Sequence, residues 1–173
     1  MMRKGLLLFL ALLQPVIIFL FLHFFGKNEF EVPVLYQTED DLPGNCEMEY
    51  SLPYTVKSEK VDVADGAVIL FSAGLTNEMF DNALFQLSRL QDEFGEDSPQ
   101  IIVLKKNGNE LPAVDGEIIV DEYDFEQQCV FLANANRIVL VDTEGHIRGL
   151  YPNASLKEID RLILELKIIF KQY

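Results

Sequence analysis

Residues 5–25 form a run of 21 residues without a formal charge, 16 of them Leu, Ile, Val or Phe. About 20 apolar residues suffice for a helix to cross the roughly 30 Å hydrocarbon core of a bilayer. The run therefore predicts one transmembrane helix and requires everything after it to fold on one side of the membrane. Each of the 16 residues favours insertion by about 0.3–0.6 kcal/mol at the bilayer centre, which outweighs the cost of Gln14, Pro15 and His23. A cleaved signal peptide has a shorter apolar core of about 7–15 residues and small residues at the cut. Here the run exits through Phe24, Phe25 and Gly26, so the helix is expected to stay attached as an anchor. Arg3 and Lys4 precede it and only Lys27 follows closely, which leaves the N-terminus in the cytoplasm. The expected organisation is a single-pass protein of the inner (cytoplasmic) membrane. Residues 1–27 are stub and anchor, 28–50 an acidic tether, and 51–173 an extracytoplasmic, periplasmic domain.

Residues 28–173 hold all 28 acidic groups and 11 of the 14 basic ones, so 11 against 28 gives a formal charge of −17. A surface of that sign repels phosphate backbones and anionic lipid headgroups. Nucleic acid is excluded as a partner, and the charge serves solubility or an acidic face for a basic partner. A segment of this size supports its own core.

Ala67-Val68-Ile69-Leu70-Phe71, bounded by Asp65-Gly66 and Ser72-Ala73-Gly74, has the pattern of a strand buried on both faces. Phe80, Ala83, Leu84, Leu87, Leu90 and Phe94 recur at helical spacing behind it, with Thr76 or Asn77 as N-cap. A helix over 78–94 is expected. Residues 100–104 read as a second buried strand and 117–120 as a weaker one. Two further strands, 137–142 and 146–151, flank Thr143-Glu144-Gly145, a connection whose glycine can take the positive φ of a hairpin. Ser155-Leu156-Lys157-Glu158 has the spacing of a capping box. It opens a terminal helix with Leu156, Ile159, Leu162, Ile163, Leu166 and Ile169 on one stripe.

Strand, helix, strand, hairpin and capped terminal helix is the order of an α/β thioredoxin-like sheet with flanking helices. Residues 68–94 resemble the active-site strand and helix of the Sco/SenC family, membrane-anchored thioredoxin-like proteins that assist copper insertion into cytochrome oxidase. Residues 138–151 and 158–163 resemble that family's closing strands and helix. The resemblance implies a Cys-x-x-x-Cys pair at the turn into the first helix and a histidine near the later strand, because soft thiolates suit copper(I). The matching positions here are Thr76, Phe80 and Asn134, so the ligand set is absent. Thioredoxin-like reductases also place a cis-proline where this chain has Asn134-Ala135-Asn136-Arg137.

The expectation is thus a degenerate Sco-like domain, not an enzyme, with no cofactor, no metal and no small-molecule substrate. Its partner would be another membrane or envelope protein, in a setting such as assembly of cytochrome oxidase. The surface to suspect is the entrance of the first helix, where Leu75, Met79 and Phe80 would form an apolar patch or equally well pack into the core. A purely structural membrane tether is the plainest alternative.

Cys46 and Cys129 are in no Cys-x-x-Cys spacing. In an oxidising compartment they fit a structural disulfide pinning the lead-in to the domain. The alternatives are two separate thiols, with Cys129 buried beside Val130 and Phe131, or a reactive or metal-binding thiol at Cys46. The last would make the chain a thiol-based redox or metal-handling protein. Asp121-Glu122-Tyr123-Asp124-Phe125-Glu126 is carboxylate-dense but lacks EF-hand spacing and reads as a solvated loop. His23 is an interfacial residue and His146 a solvated turn residue. Asn153-Ala154-Ser155 matches the N-glycosylation pattern but also contains the helix cap; it matters only in a secretory eukaryote and is read as coincidence.

Overall fold

The computed structural model describes residues 13–21, 31–42, 44, 46, 49–106, 119–123 and 125–170. The chain divides into two compact units, Met1–Glu31 and Val32–Tyr173. In the first, residues 13–21 are helical through Pro15, and their apolar side chains are exposed, Phe19 by 69%. Nine helical residues rise about 13 Å, and among the described residues no helix is long and apolar enough to cross a membrane. The remainder of 5–25, with His23, lies outside the described residues.

The second unit is built on β1 (Ala67–Phe71), α1 (Asn77–Phe94), β2 (Gln100–Lys106), β3 (Ile119–Tyr123), α2 (Phe125–Val130), β4 (Ile138–Val141), β5 (Ile147–Tyr151) and α3 (Leu156–Ile169). The sheet runs β3-β2-β1-β4-β5. β1, β2 and β3 are parallel neighbours, whereas β4 runs antiparallel to both β1 and β5. A parallel β-α-β unit closed by an antiparallel hairpin and a final helix is a thioredoxin-like arrangement, here carrying β3 as an added edge strand. Of the acidic segment expected as a loop, residues 121–123 lie in β3 and 125–126 in α2; pairing of Ile119 with Ile102 belongs to the register of β3 on β2.

All five residues of β1 are buried, and the faces separate by the two-residue period of a strand. Val68, Leu70, Val103, Ile138 and Leu140 pack with Phe80, Leu87 and Leu90 of α1 and Ile159, Leu162 and Leu166 of α3. Leu156, assigned by spacing to this stripe, is 58% exposed, because the stripe that reaches the sheet starts at Ile159. The capping box does not form. Ser155 makes no side-chain cap bond and its amide donates to Asn153 Oδ1 at 2.9 Å. Glu158, free of the serine amide, pairs with Arg161 at 3.0 Å.

The opposite face is not covered by long helices. Ala67, Ile69, Phe71, Val139 and Val141 meet Tyr54, Val56, Val61 and Val63 from the lead-in and residues 130–133 after α2. The lead-in is fastened by backbone bonds Leu35 N–H to Ile147 C=O (2.9 Å) and Val56 N–H to Gly145 C=O (2.8 Å). Tyr36 donates its hydroxyl to Leu132 C=O at 3.0 Å, and Tyr54 donates to Val130 C=O. The compact unit thus begins at Val32 rather than near Ser51. Leu35, Tyr36, Leu42 and Tyr50, within the stretch expected as a tether, belong to a layer of the fold because they pack against a sheet face that water would otherwise reach. A disulfide joins this layer to α2: Cys46 and Cys129 have an S–S distance of 2.06 Å and a Cα–Cα distance of 5.7 Å, 83 residues apart. Cys129 is only 2% exposed.

β5 carries one further constraint. A Cβ at Gly149 would overlap the Tyr151 hydroxyl and lie 2.8 Å from its Cζ. The ring is fully buried, stacked under the Arg161 guanidinium at 4.4 Å and bonded through its hydroxyl to Glu165. Gly149→Ala is expected to cost about 1–3 kcal/mol through overpacking, read as a lower urea midpoint. Replacing both cysteines by serine, or reducing the bridge, is expected to lower the unfolding free energy by up to about 4.5 kcal/mol, the loop-entropy value for a closure of this length. Urea melts with and without reductant measure it, and an unchanged midpoint would refute the stapling role.

Candidate functional site

In a thioredoxin-like arrangement the chemistry sits where the first strand turns into its helix. Here β1 ends at Phe71, and Ser72, fully buried, donates both its amide (3.0 Å) and its hydroxyl (3.1 Å) to Leu104 C=O. Gly74 takes φ +73° and lets the chain reverse; Leu75 N–H then closes on Ser72 C=O at 3.0 Å. Thr76 is the N-cap of α1, its Oγ1 accepting from Met79 N–H at 3.3 Å. Phe80 lies one turn further, fully buried in the core.

These facts place two of the three positions that the Sco/SenC resemblance singles out, Thr76 and Phe80; the third is Asn134. The Thr76 hydroxyl is occupied as a helix cap. Phe80 offers no donor atom and is interior. Asn134 sits exposed at φ +51°, its carbonyl accepting from the Gln128 side-chain amide. The proposed patch of Leu75, Met79 and Phe80 is correspondingly corrected. Met79 is 53% exposed, Leu75 is half-buried against the core, and Phe80 contributes nothing to the surface because it fills the space between α1 and the sheet.

What the entrance does present is a cleft of about 440 Å³, bordered by Leu75, Met79 and Ala83 on one side, Pro152 and Ala154 on the other, and Arg137 at its base. Arg137 is held by its backbone on both sides. Its amide donates to Tyr151 C=O and its carbonyl accepts from Phe71 N–H, each at 2.9 Å. Its Nη1 reaches over the turn to donate to Ala73 C=O. In the sequence the residue stands as the last member of the Asn134-to-Arg137 segment and as the first residue of the strand expected over 137–142. A formal charge at the mouth of a buried strand, opposite the helix entrance, was the available signal.

The thiols lie elsewhere. Cys46 and Cys129 are joined to each other in the layer formed by the lead-in and α2, and there is no free cysteine. His146 is less solvated than its turn position suggests. Its side chain is 19% exposed, with Nδ1 3.4 Å from Glu144 Oε2 and 3.7 Å from Asp142 Oδ1. Among the described residues no group of His, Cys, Asp and Glu is arranged to hold a metal ion. The Arg137 guanidinium can offer hydrogen bonds and charge recognition in the cleft, and its walls can offer apolar contact.

The strongest perturbations of acidity belong to tyrosines beneath the two layers. Burial raises Tyr54 to about 12, with a smaller contribution from Tyr50. Burial also raises Tyr36, assisted by Asp41. Tyr151 is raised by burial first and then by its bond to Glu165, with Arg161 opposing. All three are held neutral as hydrogen-bond donors.

No protein-family model matches the chain, and no curated protein matches it. Among solved structures it is similar to the reduced 2-Cys peroxiredoxin of Plasmodium vivax at 18% identity, over 63% of this chain and 80% of that one, with a TM-score of 0.37. The fold assignment rests on strand order and direction.

For Tyr54 the folded pKa lies above the ordinary value of 10, so its contribution is complete below pH 10 and is lost as pH rises toward 12. The loss reaches about 3 kcal/mol for a shift of this size. The Tyr54→Phe variant should be less stable than the parent at pH 9 by about 1 kcal/mol, for the lost bond to Val130. Its deficit should shrink or reverse by pH 12; urea melts at the two pH values test this.

Proposed function

We propose that this chain is a membrane-anchored, non-catalytic interaction module, a thioredoxin-like domain held at the extracytoplasmic face of the inner membrane to bind another membrane or envelope protein. The carrying observation is the α1 entrance. Where this architecture performs thiol or copper chemistry, the chain has a capping threonine, a buried phenylalanine and an arginine tied to the Ala73 carbonyl. Residues 5–25 support the anchor, being long and apolar enough to span a bilayer. The Sco/SenC resemblance supports cytochrome oxidase assembly as the setting.

A second reading, thiol-based redox work, is favoured by the bridge between Cys46 and Cys129. The two separate in a complementation experiment. Deletion in the source organism is expected to lower assembled cytochrome oxidase, and a full-length chain with both cysteines replaced by serine is expected to restore it, provided the variant accumulates in the membrane fraction. Restoration by the parent but not by an accumulating serine variant would favour thiol chemistry. Unchanged oxidase after deletion would remove that setting, and recovery of the chain in the soluble fraction would remove the anchor.

A further inference from the structure

We infer that the cleft at the α1 entrance docks a partner segment bearing a single carboxylate beside an apolar side chain, with Arg137 as its receptor. This deepens the reading of the chain as an interaction module and rests on it. The observation is one of charge pairing. Arg89 meets Asp160 at 2.7 Å, Arg148 meets Asp142 at 2.9 Å, and Arg161 meets Glu158 and Glu165 at 3.0 and 3.4 Å. Arg137 meets no carboxylate among the described residues, although the chain carries 28 acidic groups. Its guanidinium is half-buried and makes one hydrogen bond, to a carbonyl.

A guanidinium has five N–H donors in a planar fork, and a carboxylate satisfies two of them at once. An unmatched cation in a partly desolvated cleft is the arrangement that gains most from such a group. The walls specify the rest of the ligand. They are apolar at Leu75, Met79, Ala83, Pro152 and Ala154 and polar at Asn82, Asn153 and Ser155, and Met79, more than half exposed, supplies a surface that a neighbouring side chain can cover. The volume of about 440 Å³ fits one or two side chains of an extended segment. The field of a chain with net charge −14 repels a generally acidic segment. The occupant therefore carries its one carboxylate at the arginine and neutral or basic residues on either side.

The test uses the full-length chain in detergent micelles and two fluorescein-labelled peptides, Lys-Leu-Glu-Leu-Lys and its glutamine counterpart, Lys-Leu-Gln-Leu-Lys, read by fluorescence anisotropy. The glutamate peptide is expected to saturate the protein and to bind at least tenfold more tightly than the glutamine peptide. Arg137→Met, which keeps the apolar stem, should remove that difference. Because Arg137 also braces Ala73, a second variant stands beside it: Met79→Glu, at an exposed position, places a competing carboxylate at the cleft and should abolish selective binding with an unchanged circular dichroism spectrum. Equal binding of the two peptides, no saturable binding, or selective binding that survives Met79→Glu would each overturn the inference. Such a failure alongside successful complementation by the serine variant would strike the cleft and leave the interaction module standing, whereas failure of complementation strikes the module itself.

Discussion

A central strand with no face open to water is the constraint from which the rest of this fold follows. Every side chain of β1 is buried, and a five-stranded sheet around it exposes two apolar surfaces that must both be covered. α1 and α3 cover one. They supply large side chains at helical spacing, and each fully buried Leu, Ile or Phe adds about 1.5–3 kcal/mol. The second surface has no comparable helix, since α2 is six residues long. It is covered by chain that comes before β1, and this is why the disulfide lies there: a layer made of extended backbone and few ladder bonds gains more from a covalent constraint than a packed helix does.

Asp142 extends that fastening to the hairpin. Its Oδ1 accepts from the amides of Glu144 (3.0 Å) and His146 (2.8 Å), closing the turn, while Oδ2 receives Arg148. Arg148 in turn donates to Val32 C=O, so one carboxylate sets the turn and, through an arginine, the start of the lead-in. Asp142 and Arg148 expose 8% and 15% of their side chains, and a pair so enclosed is far less screened than the 33% and 54% exposed pair of Arg89 and Asp160. Of the two, the buried pair governs the register between layers.

Much of this was legible where the signal is local. The apolar run of β1, the period of α1 and the glycine of the hairpin each point to one structure by short-range pattern. Three features escape that short-range reading, two of them because their partners are remote in sequence. The lead-in has no strand or helix period, because its tyrosines and valines answer to the shape of the sheet. Ser155-to-Glu158 carries the letters of a capping box, yet the nearer Asn153 takes the serine amide, a competition between two local acceptors that spacing alone does not rank. The acidic segment 121–126 is polar enough for a loop, and backbone pairing with β2 and the start of α2 override it. At the entrance, the absence of ligand residues was plain in the sequence, but the role of Arg137 depends on a bond across 64 residues.

The residues standing at that entrance also show how the positions of a helix entrance can be taken up by the scaffold itself. Catalytic and metal-binding groups are held partly exposed and incompletely satisfied, at a cost in stability. Thr76 and Phe80 do the reverse: one satisfies a helix amide and the other fills the core, so both positions serve the fold alone. Arg137 does not follow them. Its bond to Ala73 braces the turn, but a carbonyl does not neutralise a cation, and a neutral donor of similar reach would brace the turn without the charge. An excess of charge over what the fold needs, at the entrance of α1, is the feature that stability does not account for.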